Sequence, residues 1–140
     1  MILLGTTTDK LSLPSGLSYD ESNQDLYIAN AGSNIVVKWH VNASTGDVVA
    51  GVAGTTGSSS SLLNFPLGIS LDRWNNLYIA DRSNSRVQLF CHGNLTGITI
   101  AGMSTGGSSL SLPYGIALDS QLNLYVSENG FWRVTKFNKL

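Results

Sequence analysis

The sequence of 140 residues has few charged side chains, a single cysteine and no long apolar run. Charged residues make up 12% of the chain and the formal net charge is −1, so no broad electrostatic field would attract nucleic acid or an anionic membrane. Cys91 has no second cysteine with which to form an internal disulfide, and we expect a small, half-buried residue there. Because nowhere do about twenty apolar residues run together, the sequence predicts no membrane-spanning helix.

The cellular compartment is left open by the sequence. The first residues lack the apolar core of a signal peptide. Two N-glycosylation sequons begin at Asn42 and Asn94, and they would suit an extracellular protein. In a chain this rich in Asn, Ser and Thr such triplets also arise by chance, so they are only weak support for secretion.

One stretch of sequence is written three times. LPSGLSYDESNQDLYIAN starts at Leu13, NFPLGISLDRWNNLYIAD at Asn64, and LPYGIALDSQLNLYVSE at Leu112. The prolines of these stretches, Pro14, Pro66 and Pro113, are spaced in the range of β-propeller blades and outside that of most helical solenoids. The chain is therefore built from repeats, and its hydrophobic content of 42% is enough for one domain with a core.

Each repeat reads as a set of short β-strands. Apolar residues alternate or form runs of about five and never show helical spacing. Four strands, a to d, recur in order; the predicted strands are Gly16–Asp20, Gly68–Asp72 and Gly115–Asp119 for a, Leu26–Asn30, Leu77–Asp81 and Leu124–Glu128 for b, Ile35–Trp39, Arg86–Phe90 and Arg133–Phe137 for c, and d strands that start at Val48, Ile98 and Ile2. The aromatic residue that ends each c strand is expected to pack between sheets. The sequence thus predicts an all-β chain.

Four segments repeat in the same order: Pro-x-Gly-Ile/Leu-x-x-Asp, Leu-Tyr-Ile/Val-Ala-Asp, Asn-x-Arg-Val-x-x-Phe and Ala-Gly-x-x-x-x-Gly. Together they resemble the NHL repeat of β-propellers, with the middle unit matching best and Ile35 standing where the first unit would have Arg. The resemblance implies about three blades of four antiparallel strands in one propeller segment. Its repeat units cover residues 13–54, 65–106 and 112–140, and residues 1–8 supply the outer strand of a split blade.

Three blades are half of the six-bladed ring that is common in this family. Two interpretations remain open. Either a second copy closes the ring, each N-terminal strand completing the other copy's last blade, or the chain is a segment of a longer propeller.

The loops between strands b and c, and those between d and the next a, lie on one face of such a propeller. We expect this loop-rich face to bind a protein or peptide, as a non-enzymatic scaffold. The candidate binding residues are Asn30, Asp81, Arg82, Glu128, Phe131 and Trp132. Phe131 and Trp132 are either a binding anchor or the cover of an interface with a missing neighbour. Trp74 is expected to face solvent from a turn on the other face.

The alternative functions are a divalent-metal-dependent enzyme, lyase-like or lactonase-like, that acts in the channel, and an RNA-binding surface. Carboxylates converging at Asp81 and Glu128 could hold Ca²⁺, but no cofactor is predicted. Zinc chemistry is disfavoured because His40 and His92 are the only histidines and lie in separate blades. Nucleic acid is an unexpected partner, since the arginines are scattered and accompanied by acids. Asp20, Asp72 and Asp119 are expected to accept hydrogen bonds from turn amides rather than to act in catalysis.

Overall fold

The computed structural model describes the backbone of residues 3–4 and all atoms of residues 10–102 and 109–139. Within these ranges the chain forms β-strands joined by turns, and two 3₁₀ helices, Ala31–Ser33 and Arg82–Asn84. The strands are β1 (Leu3–Leu4), β2 (Lys10–Leu11), β3 (Pro14–Asp20), β4 (Asp25–Asn30), β5 (Ile35–His40), β6 (Asp47–Gly51), β7 (Pro66–Leu71), β8 (Leu77–Asp81), β9 (Arg86–Phe90), β10 (Ile98–Gly102), β11 (Pro113–Leu118), β12 (Leu124–Glu128) and β13 (Arg133–Phe137). The predicted outer strand at residues 1–8 falls outside the described residues, apart from Leu3–Leu4, which pairs in parallel with Lys10–Leu11.

Three antiparallel sheets contain the repeats. Their strand orders are β3-β4-β5-β6, β7-β8-β9-β10 and β11-β12-β13, and they are called blades 1, 2 and 3. Neighbouring strands in each sheet are also consecutive in sequence, which is the up-and-down order of a propeller blade. The all-β prediction and the a-to-d strand order are therefore confirmed.

The first strands of the three blades, β3, β7 and β11, lie side by side. A Cβ atom added to Gly16 would fall well inside van der Waals distance of the Leu67 carbonyl oxygen, and one added to Gly68 would meet the Tyr114 carbonyl in the same way. The Ser15 hydroxyl also donates a hydrogen bond to the Leu67 carbonyl at 3.1 Å. The glycine is thus required in the first two Pro-x-Gly segments because the backbone of the next blade passes against it.

Two of the three core clusters lie in the joints between blades, and the third lies on the face of blade 1 that points away from blade 2. In the joint of blades 1 and 2, Leu63 packs among Tyr27, Val36, Ile79 and Phe90, all at most 3% exposed. Leu110 occupies the equivalent place between blades 2 and 3. Phe90 and Phe137, which end the c strands of blades 2 and 3, pack between sheets as predicted. Trp39 packs instead with Leu11 on the face of blade 1 that points away from blade 2.

The recurring aspartates close the turns between the first two strands of each blade. Asp72 accepts hydrogen bonds from the backbone N–H groups of Trp74 and Asn76, each at 2.9 Å. Asp20 and Asp119 make the same kind of turn. Their structural role is confirmed, and side-chain hydrogen bonds from Asn23 and Asn123 lower the pKa of Asp20 and of Asp119, respectively.

Two single-residue predictions have opposite outcomes. Trp74 is 53% exposed with the Arg73 guanidinium 4.2 Å from its ring centre, as expected of a solvent-facing turn residue. The prediction of a half-buried Cys91 is wrong, because this residue follows directly after β9 and its side chain is exposed. None of the described helices is of the length and apolar character needed to cross a membrane.

Candidate functional site

The polar residues that end the second strand of each blade are buried and fasten the loop that leads into the same blade. Asn30 and Asp81 are 0% exposed and Glu128 is 2% exposed. Each side chain accepts a hydrogen bond from the backbone N–H two residues before the blade's proline. The bonds run from Ser12 to Asn30 Oδ1 (2.6 Å), Asn64 to Asp81 Oδ1 (2.7 Å) and Ser111 to Glu128 Oε2 (2.8 Å). These predicted binding residues therefore lie beneath the loop-rich face, not on it.

An arginine pairs with the buried acid in blades 2 and 3. Arg86 Nε lies 2.7 Å from Asp81 Oδ2, and Arg133 Nε lies 2.8 Å from Glu128 Oε1. Burial raises the pKa of Asp81, and the hydrogen bonds from Asn84, Asn64 and Arg86 do not cancel that effect. At Glu128 burial also pushes upward, but the bonds from Thr135, Arg133 and Ser111 outweigh it, so the pKa is lowered.

Blade 1 replaces both members of this ion pair. Asn30 stands in place of the acid, and Ile35 stands in place of the arginine. A buried charge without its partner lowers the stability of the fold. Because Asn30 replaces the acid and Ile35 replaces the arginine together, blade 1 has no unpaired buried charge at these positions. The pair is therefore part of the architecture of a blade, and it can be exchanged as a unit for neutral residues.

The residue directly before each proline is apolar and has a left-handed backbone. Leu13, Phe65 and Leu112 have φ values of 50°, 55° and 49°. Leu13 is 62% exposed, Leu112 is 36% exposed and Phe65 is partly exposed. A large L-residue with positive φ is uncommon, and Gly or Asn adopts this conformation at lower cost. Three apolar residues at one register thus share a strained backbone, and two of them, Leu13 and Leu112, are exposed.

The surrounding hydrogen bonds explain this local geometry. In blade 3, the b–c loop donates from Asn129 N–H to the Leu112 carbonyl and from Gly130 N–H to the Ser111 carbonyl, both at 3.1 Å. The leucine two positions earlier, Leu110, is only 3% exposed. With the segment held at both points, the chain buries Leu110 and turns Leu112 outward before the proline. Blade 1 has the same arrangement, with Leu11 inward and Leu13 outward.

These residues lie at the same end of the inner strands. Because β3, β7 and β11 are neighbours, Leu13, Phe65 and Leu112 follow one another along the loop-rich ends of these strands. Tyr114, which is 51% exposed, lies two residues beyond Leu112. Arg82 places its guanidinium carbon 5.9 Å from the centre of the Phe65 ring. We call Leu13, Phe65, Arg82, Leu112 and Tyr114 the mouth cluster.

Arg82 carries an unused donor. Its Nε atom is buried and has no hydrogen-bond partner among the described residues. An unpaired buried N–H is unfavourable, and a bound molecule could accept from this atom only after the side chain rearranges. Of the six predicted binding residues, Arg82 is the one that the structure brings into the mouth cluster.

Phe131 and Trp132 lie in the b–c loop of blade 3. Phe131 is 49% exposed beneath the Arg133 guanidinium at 4.7 Å, and Trp132 is 89% exposed with φ of 52°. Asn34 has the equivalent position in blade 1, and its Oδ1 accepts a hydrogen bond from the Phe65 N–H of the next blade at 2.9 Å. Trp132 thus occupies a position that contacts the following blade elsewhere in this chain.

The described residues contain no group of three or more His, Cys, Asp and Glu side chains arranged to hold a metal ion. His40 and His92, which belong to separate blades, line one polar cavity of about 430 Å³ between blades 1 and 2, on the face opposite the mouth cluster. His40 Nδ1 is 2.9 Å from Asp25 Oδ1 there. The sequon residues Asn42 and Asn94 are exposed on that same face.

The mouth cluster was missed in the sequence because its apolar residues look like strand residues. One signal was available: each repeat carries Leu-x-Leu/Phe-Pro, at Leu11, Leu63 and Leu110. Two apolar residues separated by one position would share a face of a regular strand. The proline that follows, and the amide tied to strand b, change the backbone so that only the first residue is buried.

Stacked four-stranded antiparallel sheets with inner strands side by side define the class of β-propellers. Residues 63–90, which comprise the end of the loop before blade 2 and its first three strands, match the model of the NHL repeat. The chain accordingly has the fold of stacked β-propeller blades and contains one NHL-repeat match. No curated protein matches it in sequence.

Solved structures share this fold at low sequence identity. A structural genomics protein of unknown function from Bacteroides thetaiotaomicron superposes with a TM-score of 0.78 and 18% identity over 89% of this chain and 34% of its own. An auxiliary nutrient binding protein from the same species gives 0.71 and 14% over 86% of this chain and 36% of its own. A gluconolactonase from Xanthomonas campestris gives 0.68 and 16% over 90% of this chain and 38% of its own. The chain spans little more than a third of the length of these proteins.

Proposed function

We propose that this chain is a binding module that takes a peptide segment of a partner protein at the mouth cluster. The observation that carries the proposal is the left-handed, solvent-facing apolar residue before each of the three prolines. Strained residues persist where the surrounding structure enforces them, and they cluster at binding sites. A fold alone would be served as well by Asn, which tolerates this φ and suits an exposed position.

The chemistry of the cluster indicates the kind of peptide. Leu13, Leu112 and Tyr114 offer apolar contact area, and Phe65 adds an aromatic ring that Arg82 approaches. Apolar anchors beside an arginine are typical of interface hot spots. The positive charge of the Arg82 guanidinium beside Phe65 favours an acidic residue in the peptide. We therefore expect a peptide with two or more apolar residues and one acidic residue.

Selection from a random peptide library displayed on phage tests this proposal without a known partner. Peptides that bind the immobilised chain should share the apolar-plus-acidic pattern, and their affinity is then measured by fluorescence polarisation. Leu13→Asn and Leu112→Asn should each weaken binding about tenfold because an apolar anchor is lost. Both variants should fold at least as stably as the parent, since Asn relieves the positive φ.

The matched control is Leu95→Asn. Leu95 is 59% exposed in a turn on the opposite face, so its replacement should leave peptide binding unchanged. Arg82→Gln should reduce the preference for acidic peptides while it leaves apolar ones bound. The proposal would be refuted if no peptide is enriched. It would also be refuted if Leu13→Asn and Leu112→Asn leave the affinity unchanged while Leu95→Asn lowers it.

The enzyme alternative is supported by the likeness in fold to a gluconolactonase. In that case, the acids at the ends of the b strands would have to release their internal hydrogen bonds to reach a metal ion. Calorimetric titration with Ca²⁺ and Zn²⁺, followed by a lactone hydrolysis assay, separates the two functions. Micromolar metal binding that is lost in Asp81→Asn, together with hydrolysis, would favour the enzyme.

A further inference from the structure

A cleft opens between blades 1 and 2 on the face opposite the mouth cluster. It combines the polar cavity of about 430 Å³ with an inner cavity of about 180 Å³. Tyr27, Lys38, Asn75 and His92 line both cavities, so the two adjoin. The outer cavity alone falls within the range of about 300–1,000 Å³ that is common for small-molecule sites. We call the two cavities together the rear cleft.

The rear cleft has an apolar floor and polar walls. Its inner part is lined by Val49, Leu77 and Phe90, which belong to the core cluster of this joint or pack against it. Its outer part is lined by Asn23, Asp25, His40 and Asp47 in addition to the four shared residues. An apolar surface with a few polar groups around it is the usual composition of a small-molecule site.

The tyrosine hydroxyl that reaches this cleft lacks the bond that its equivalent makes. In blade 3, the Tyr125 hydroxyl donates to Asp119 Oδ2 at 3.2 Å. In blade 1, the corresponding acceptor, Asp20 Oδ2, accepts from Asn75 of blade 2 at 2.7 Å. Tyr27 is only 3% exposed, and its hydroxyl has no hydrogen-bond partner among the described residues. An enclosed hydroxyl without a partner is unfavourable, and a bound molecule would supply the missing bond.

The charges around the rear cleft are mixed. The buried Asp25 carboxylate has His40 Nδ1 at 2.9 Å from one oxygen and Lys38 Nζ at 3.7 Å from the other. Asp47 lies opposite Lys38 on the neighbouring strand, and His92 belongs to the wall formed by blade 2. An anion in the cleft would meet carboxylates, and a cation would meet Lys38. A neutral hydroxyl group both donates and accepts hydrogen bonds, so it suits either kind of neighbour.

We propose that the rear cleft binds a neutral sugar ring. The hydroxyl groups of the ring bond to Tyr27 and to the polar walls, and its C–H face lies against the apolar floor. A free sugar and the terminal sugar of a glycan share this chemistry. This site is independent of peptide binding at the mouth cluster, which lies on the other face.

Cys91 provides a direct measure of occupancy. It is the single cysteine of the chain, it is exposed, and it lines the inner cavity. A sugar in the rear cleft should therefore slow the reaction of this thiol with iodoacetamide. The protein is produced in bacteria, so that no N-linked glycan at Asn42 or Asn94 lies on this face.

The probes are glucose, galactose, mannose and N-acetylglucosamine. At least one of them should protect Cys91, with the same dissociation constant in calorimetric titration. Glucosamine and glucuronate should bind about tenfold more weakly than the matching neutral sugar, because each places a charge beside one of like sign. Equal binding of the methyl glycoside indicates the end of a glycan, and its loss indicates a free sugar.

Tyr27→Phe tests the site by removing one oxygen atom. Sugar affinity should fall about tenfold, and protection of Cys91 should fall with it. The free energy of unfolding should not decrease, since no internal hydrogen bond is lost. Tyr125→Phe is the matched control: it loses the bond to Asp119, so it should be less stable and bind sugar unchanged. Leu13→Asn should also leave sugar binding unchanged.

Three results would overturn the proposal. The first is that none of the sugars binds or protects Cys91 up to its solubility limit. The second is sugar binding that Tyr27→Phe leaves unchanged. The third is an equal loss of stability in Tyr27→Phe and Tyr125→Phe, which would mean that the Tyr27 hydroxyl is already bonded within the chain.

Discussion

In blade 2, replacing both members of the ion pair should lower the free energy of unfolding by less than the sum of the two single replacements. Arg86, 6% exposed, bonds to Asp81 Oδ2 at 2.7 Å and to the carbonyl oxygens of Ser58 at 2.6 Å and Leu62 at 3.0 Å. Blade 1 folds with Asn30 and Ile35 at these registers. The perturbation is therefore a cycle of Asp81→Asn, Arg86→Ile and the double variant, which copies blade 1 into blade 2.

The two single variants leave different buried polar groups without a partner. Arg86→Ile leaves the fully buried Asp81 carboxylate without its cation and the loop carbonyls of Ser58, Ser59 and Leu62 without this donor, which costs about 3–5 kcal/mol. In Asp81→Asn the Asn64 N–H still finds an acceptor and the guanidinium keeps its carbonyl partners, so the loss is about 2–3 kcal/mol. The double variant has no buried charge. We expect it to lose at least about 1.5 kcal/mol less than the sum of the single losses.

Urea unfolding followed by circular dichroism gives the free energies of unfolding for the four proteins. The same cycle in blade 3, with Glu128→Gln and Arg133→Ile, is the matched control. The Arg133 side chain is 46% exposed, so solvent screens its pair and the coupling should be smaller than at Asp81. Losses in blade 2 that add to within about 0.5 kcal/mol would refute the view that acid and arginine are exchanged together.

Two further predictions concern the joints and the response to acid. Gly68→Ala should lower the free energy of unfolding by about 2–4 kcal/mol, because the new methyl group meets the backbone of blade 3. Gly54→Ala is the control: no atom lies within 4 Å of an added Cβ there, so the variant should lose only about 1 kcal/mol, for its φ of +71°. Equal losses of the two variants in urea unfolding would contradict this reasoning. Since the folded pKa values of Asp20, Asp119 and Glu128 lie below their ordinary values of 3.8, 3.8 and 4.5, stability is retained above those values and falls as pH drops through the lowered ones. The raised pKa of Asp81 acts in the opposite direction, because its protonation adds stability as the pH falls from the raised folded value toward 3.8. Asp81→Asn should therefore lose this gain just above pH 3.8, with no difference in slope below it; a flat pH profile would contradict these assignments.

The fold could be predicted from the sequence because its determinants are local and are repeated. Leu77–Asp81 and Arg86–Phe90 were predicted with the bounds that the structure has, since alternation and turn residues mark both ends. Asp72 was assigned to its turn because an aspartate that ends a strand accepts nearby amides. These inferences need only the few residues on either side.

The candidate site could be predicted only in part, because burial at a blade end depends on another segment. Asp81 ends a strand at the loop-rich face, and strand geometry alone places its carboxylate near the channel mouth. The structure instead brings the Asn64 N–H to one carboxylate oxygen and Arg86 to the other. Asn64 is 17 residues away in sequence, so this partner becomes visible only when the loop is folded. Arg82 Nε, although also buried, has no such partner among the described residues.

Comparison of the three blades within one chain separates architecture from recognition. Positions that keep both identity and burial, such as the leucine three residues before each proline, hold the blade together. The acid and arginine positions change only as a pair, because the cost of a buried charge ties one to the other. The residue before each proline keeps its strained backbone and its exposure but alternates between Leu and Phe. Since solvent imposes no requirement for an apolar side chain there, the requirement is best explained by a bound partner, and the mouth cluster is where substitutions should change binding before they change stability.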